Sequence, residues 1–145
     1  MMLLQYTSAE HEDIDTIFQM SKELVLSYED LTSVDLSKIL LWLQRKIETN
    51  IRQYTCVWQD GKKVAYYRLE KQEGQAELDD FYVMPECRGR GIGTQILTEC
   101  CRETQMPIFL YVFTRNTGAI SLYQRHGFKV TAQVSPTRII MTRCT

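Results

Sequence analysis

The sequence predicts an α/β (α+β) fold, a mixed central sheet with helices on both faces, and three observations lead there. Apolar residues recur at helical spacing through residue 50 and at the short period of strands from Tyr54 onward. A strand-like segment then runs through a glycine-rich stretch straight into a helical pattern at 76–97. A further strand and a short helix follow before two closing strands, so the element order is β-α-α-β-β-β-α-β-α-β-β.

Each element has its own evidence. Residues 3–6 are expected as a short first strand. Thr7, with Glu10 three positions on, has the form of a capping box, and Ile14, Ile17, Phe18, Leu24 and Val25 share the apolar face of the helix behind it. A second helix starts after Ser33 or Asp35, with Leu36, Ile39, Leu40, Leu43 and Ile47 as its stripe. Residues 54–58 are β-branched and aromatic, Asp60-Gly61 marks a hairpin turn, and 63–69 form the returning strand. A polar turn through Gly74 leads into a strand over 75–83. Ile92, Ile96, Leu97 and Cys100 mark a helix face, and Pro107 opens a strand over 108–113. A short helix spans 116–126, with Gly127 placed to terminate it. Residues 128–134 and 137–142 read as a closing antiparallel pair, and Trp42 and Trp58 as packing residues.

Bulk properties narrow the function. A chain of 145 residues with 44% hydrophobic and 24% charged residues is expected to be one soluble domain over 1–145. Its net charge of -1, with no basic run, argues against nucleic acid or an anionic membrane as partner. No apolar stretch is long enough to span a bilayer. The Met1-Met2-Leu3-Leu4 start meets charges too early for a signal peptide. Five cysteines without a Cys-x-x-Cys pair, and the isolated His11 and His126, predict neither a disulfide framework nor a metal site, which fits a cytoplasmic protein.

The chemistry concentrates in Arg-Gly-Arg-Gly-Ile-Gly, residues 88–93, between a strand and a helix. The first turn of a helix has N–H groups without internal partners and the positive end of the dipole, so it attracts an anion. Glycines at 89, 91 and 93 let a phosphate approach the main chain, and Arg88 and Arg90 add positive charge. The spacing is neither the dinucleotide fingerprint nor a P-loop. Read alone, the segment is either a phosphate cradle or a tight turn flanked by surface arginines.

A second motif stands at 116–128, NTGAISLYQRHGF, with the spacing N-x-x-A-x-x-x-Y-x-x-x-G-F. Together with Val83, Pro85, Arg88, Gly89, Gly91 and Gly93 it makes the C-terminal half resemble the GNAT superfamily, the acetyl-coenzyme A-dependent N-acetyltransferases. The resemblance implies a GNAT-like, largely antiparallel sheet and acetyl-CoA as co-substrate, with no metal. It implies that the loop amides of Arg88, Gly89, Arg90, Gly91, Ile92, Gly93 and Thr94 hold the pyrophosphate of the coenzyme. It implies further that main chain at Phe81, Tyr82 and Val83 pairs with the pantetheine arm, which Asn116 also contacts. Cys87 departs from the bulkier residue usual at its position.

The implied reaction is direct attack of a primary amine, from a small molecule, a lysine or a peptide N-terminus, on the thioester. Tyr123 is the candidate acid for the departing thiolate. Glu77, six residues before Val83, is the candidate base, since histone acetyltransferases carry a glutamate there. Asp79, Asp80 and an ordered water chain compete for that role. Strand alternation puts Glu77 and Asp79 on one face and Asp80 and Tyr82 on the other, unless a bulge intervenes. These acids, with Tyr28, Glu29 and Asp30 near the first helix end, hint at a cationic acceptor. The superfamily also includes many homodimers. The competing readings are a non-catalytic acyl-CoA sensor and a nucleotide-binding domain; the second leaves the 116–128 motif unexplained.

Overall fold

The computed structural model describes residues 3–144; Met1, Met2 and Thr145, at the ends of the expected domain, lie outside the described residues. Among the described residues seven strands, β1 (Gln5–Ser8), β2 (Tyr54–Gln59), β3 (Lys62–Lys71), β4 (Ala76–Val83), β5 (Ile108–Phe113), β6 (Lys129–Ser135) and β7 (Arg138–Arg143), form one sheet in the order β1-β2-β3-β4-β5-β7-β6. Among the described residues every pairing is antiparallel except β4 with β5. The helices are α1 (Ile14–Tyr28), α2 (Leu36–Asn50), α3 (Ile92–Glu103) and α4 (Thr117–Arg125).

The period-2 alternation of the strands separates two cores. On one face Leu78, Ile108, Leu110 and Met141 pack beneath Ile92, Ile96 and Leu97 of α3 and Tyr123 of α4. On the other, Tyr54, Cys56 and Tyr66 pack beneath Ile17 of α1 and Ile47 of α2. Ile17, Ile47, Ile96 and Leu97 are fully buried, and each such side chain removed from water contributes about 1.5–3 kcal/mol. Among the described residues no helix is long and apolar enough to cross a membrane.

The start of α1 differs from the sequence expectation. Thr7 lies within β1, opposite Cys56, and its hydroxyl accepts from Trp58 Nε1 at 2.8 Å. The capping box is instead Glu10 with Asp13, the Asp13 carboxylate accepting from Glu10 N–H at 2.8 Å. The strand runs two residues further than its apolar start suggests, because pairing with β2 satisfies its main chain.

Asp13 is 3% exposed and also accepts from Lys63 Nζ at 2.8 Å and Tyr66 Oη at 2.6 Å. Burial alone would raise its pKa, but the Lys63, Tyr66 and Glu10 hydrogen bonds outweigh it and hold the carboxyl below the usual range. The resulting stability is present above the ordinary aspartate pKa of about 3.9 and is lost as pH falls through the lowered value. Asp13→Ala removes the acceptor of Glu10 N–H and Tyr66 Oη and leaves Lys63 with Glu12 alone, and is expected to cost about 2–4 kcal/mol in urea unfolding at pH 7. A loss below about 1 kcal/mol would mean that water replaces the carboxylate freely.

Candidate functional site

The parallel pairing of β4 with β5 is confined to Ala76↔Ile108 and Glu77↔Phe109. Beyond that vertex the strands part, and the sheet is divided by a cleft of about 1220 Å³. Its walls are β4, the β4–α3 loop and α3 on one side and β5 with α4 on the other, while α1 and α2 close one end. The edge of β4 past Glu77 has no strand partner among the described residues, so its main chain is open to an extended ligand.

The glycine loop meets this cleft. Gly89 and Gly91 have φ of 78° and 82°, in the left-handed region that disfavours side chains, and Gly91 is the N-cap of α3. The Gln95 N–H donates to Gly91 O at 3.1 Å to start α3, so the N–H groups before it lie in the first turn, where a helix supplies no internal partner. A Cβ at Gly89 would meet nothing within 4 Å, so the loop borders open space. The two arginines are each tied to nearby main chain through Nε. Arg88 N–H donates to Pro85 O at 3.4 Å and its Nε to Val83 O at 3.1 Å, so Arg88 braces the loop against the end of β4. Arg90 Nε reaches Cys87 O at 3.5 Å, and of the residues expected at the site Arg90 is the one outside the cleft wall.

The 116–128 motif has a local structural account. Asn116 is the N-cap of α4, its Oδ1 accepting from Ala119 N at 3.3 Å, which leaves its amide NH2 able to meet a ligand at the cleft. Gly127, at φ 87°, ends the helix and lets Phe128 N–H donate to Tyr123 O at 3.1 Å. The Phe128 ring then packs 5.7 Å from that of Tyr123. Asn at the start and Gly-Phe at the end therefore fix where Tyr123 sits. Tyr123 is 8% exposed, and burial pushes its pKa well above the ordinary value, so it is a phenol and a donor at any working pH.

Glu77 belongs to the α1/α2 face and Tyr123 to the α3/α4 layer, yet both line the cleft because the sheet is open between them. Glu77 is half-buried; burial first, then the nearby Asp79 and Glu70, raise its pKa. Phe81, Tyr82, Val83, Ile92, Gly93, Thr94 and Asn116 also line the cleft.

A bulge in β4 overturns the expected parity of the two aspartates. Arg68 faces Asp79 and Tyr66 faces Tyr82, so Asp80 and Phe81 together oppose Tyr67. Asp80 adopts φ 46°, a conformation aspartate tolerates better than most residues. Asp79 and Asp80 therefore turn to the same side, where Lys46 Nζ of α2 lies 3.0 Å from one carboxylate and 2.8 Å from the other. Asp80 also accepts from Tyr54 Oη at 2.6 Å and Tyr82 Oη at 2.8 Å. Lys46 offsets one of the two aspartate charges and Arg68 Nη1, 3.7 Å from Asp79, contributes to the other, so the cleft is less negative than a count of carboxylates implies. Asp30 likewise is engaged, by Thr32 and Ser33.

Three cleft residues escaped the sequence reading. Trp58 packs as expected, but Trp42 is 60% exposed on the cleft wall with Lys46 Nζ 5.1 Å from its ring. The spacing of Trp42 and Lys46 on one helix was the available clue. Lys46 and Arg138 could not be placed without the tertiary structure.

Comparison with known proteins supplies a context. A family model described as acetyltransferase (GNAT) family matches residues 15–128. An uncharacterized N-acetyltransferase of Methanocaldococcus jannaschii is 31% identical over 100 residues, 61% of this chain and 42% of that protein. The chain therefore spans less than half the length of that relative. Among solved structures, the PaiA N-acetyltransferase of Thermoplasma acidophilum in complex with coenzyme A superposes with a TM-score of 0.74 at 20% identity, covering 99% of this chain and 100% of that one. An acetyltransferase of Thermus thermophilus gives 0.73 at 19% identity with both chains fully covered. At such identities the likeness concerns the fold.

Proposed function

The chain belongs to the acetyltransferase (GNAT) family, and from that premise we propose that residues 1–145 act as one N-acetyltransferase domain moving an acetyl group from acetyl-CoA to a primary amine. The observation that carries the reading is the opening of the sheet beyond Glu77 and Phe109, with a helix N-terminus at its mouth and a buried phenol on its wall. The coenzyme A held by the Thermoplasma protein supports the same use of the cleft here.

In this reading the N–H groups of the α3 first turn hold the pyrophosphate. Main chain at Phe81, Tyr82 and Val83 pairs with the pantetheine arm, which the Asn116 amide also meets. The acceptor amine attacks the thioester carbonyl carbon, the C–N bond forms and the C–S bond breaks. The amine proton passes to Glu77, directly or through water, and Tyr123 Oη donates to the departing sulfur. A domain with five free thiols suits a reducing cytoplasm, and the exposed edge strand β6 is the surface we assign to a homodimer.

Coenzyme A thiol release from acetyl-CoA with a mixed amine panel tests the reading. Release that depends on amine is expected; release no faster than without amine would leave a binding module. Glu77 must be ionised to accept a proton, so the rate should rise with pH through its raised pKa. Glu77→Gln should remove that rise and lower the rate about 10- to 100-fold, below the full effect of a lone base because water can substitute. An unchanged pH profile would exclude Glu77.

A further inference from the structure

Building on the N-acetyltransferase reading, we propose that Arg138 selects acceptor amines that also carry an oxyanion group, amino acids and their relatives, by pairing with that group while the amine faces Glu77.

Arg138 opens β7 directly opposite Phe113 of β5, and it lines the α1/α2 end of the cleft. Its guanidinium carbon lies 4.8 Å from the Tyr111 ring centroid and 5.8 Å from that of Phe113. Stacking of this kind covers the flat face of the guanidinium and leaves its edge N–H donors to meet an oxyanion in plane. Such a preset fork loses little freedom on binding.

The surrounding charges make Arg138 distinctive. Lys46 is held between Asp79 and Asp80. Arg68 is bonded to Gln53 and paired with Glu70. Arg88 donates to Val83 O and Arg125 to Ser121 Oγ. Arg138 has no carboxylate or carbonyl partner among the described residues. The neighbouring acid, Glu29, already accepts from Thr137 Oγ1 and from Asp30 N–H. Glu77, by contrast, has no cation within ion-pair distance among the described residues. The acceptor end of the cleft thus offers Arg138 as an open cation and Glu77 as a carboxylate that makes no ion pair, with Glu29 held through Oε1 by its neighbours.

The two are placed for one small ligand. Glu77 is level with Phe109 and Arg138 with Phe113, four residues on, which is about 13 Å of strand. Arg138 leans back over Tyr111, and this shortens the gap. Exposed Trp42 and the Tyr28–Phe113 ring pair, 6.1 Å apart, form apolar walls at that end. The assignment reverses the emphasis on a cationic acceptor, since Asp79 and Asp80 are already ion-paired with Lys46 and, for Asp79, Arg68.

The test compares L-amino acids, including those with acidic side chains, with their carboxamides as acceptors in thiol release. The wild-type protein should favour the acids in kcat/KM by about 10- to 100-fold, the effect of one charge-assisted bond. Arg138→Gln should erase the preference through acceptor KM, leaving kcat and the KM for acetyl-CoA within threefold, and Arg138→Lys should restore part of it. Equal use of acids and amides by the wild type, or an Arg138→Gln effect on acetyl-CoA alone, would overturn the assignment. If no amine releases thiol, the enzymatic reading fails, and calorimetry of the coenzyme A-saturated protein with N-acetyl amino acids and their amides decides the role of Arg138. Tighter binding of the acids, lost in Arg138→Gln, sustains it; equal binding or none refutes it.

Discussion

Tyr123→Phe should lower kcat about 10²-fold or more while the KM for acetyl-CoA stays within threefold. The change deletes one oxygen and keeps the ring that packs 5.7 Å from Phe128, so the end of α4 and the cleft wall should persist. A thiolate whose conjugate acid has a pKa of about 8.5 is a modest leaving group, and a phenol aimed at it donates in the transition state alone. Burial keeps that phenol protonated, so wild-type activity should show no falling limb near the ordinary tyrosine pKa of about 10. Single-turnover measurement separates the chemical step from product release. Equal single-turnover rates for wild type and Tyr123→Phe would remove the hydroxyl from the reaction and leave Tyr123 a packing residue.

Lys46→Met should be the most destabilising of the substitutions considered, by about 3–5 kcal/mol at pH 7. The ammonium lies between two carboxylates that the β4 bulge turns the same way, with the side chains of Lys46, Asp79 and Asp80 only 13%, 21% and 5% exposed. Burial, then the adjacent Asp80, already raises the Asp79 pKa, against the opposing pull of Lys46 and Arg68. Without Lys46 that pKa rises further, so the folded state binds a proton more tightly than the unfolded chain does. Stability then falls as pH rises through the raised value and recovers as pH drops. Urea unfolding at pH 5 and pH 7 should show the variant's deficit shrinking at pH 5, where Asp13, with its lowered pKa, is still ionised. Asp79→Asn in the Lys46→Met background should recover much of the loss at pH 7. A deficit of the same size at both pH values would assign the effect to the lost contact of the Lys46 ammonium with the Trp42 ring instead.

Much of the fold was legible because its cues are local. The α2 N-cap at Asp35, the hairpin at Asp60-Gly61, the positive φ of Gly127 and the phased apolar positions of α3 depend on residues a few positions apart. The 116–128 motif was readable for the same reason: a cap, a stop and the tyrosine between them lie on one short helix. Thr7 misled because Thr-x-x-Glu satisfies the capping pattern while strand pairing with β2, fifty residues away, claims the same main chain. Trp42 misled because an indole is most often packing, and the face of α2 that looks into the cleft is defined by β4 and β5.

The order of elements, the glycine-rich loop before α3 and the membership of the family were determined by the sequence alone, since each rests on spacing along the chain. The parting of β4 from β5, the bulge that puts Asp79 and Asp80 on one side against Lys46, and the open guanidinium of Arg138 were decided only by tertiary structure. One extra residue in a strand inverts every side chain beyond it, and whether a charge is free depends on partners distant in sequence. Neither fact is written in any local pattern of residues.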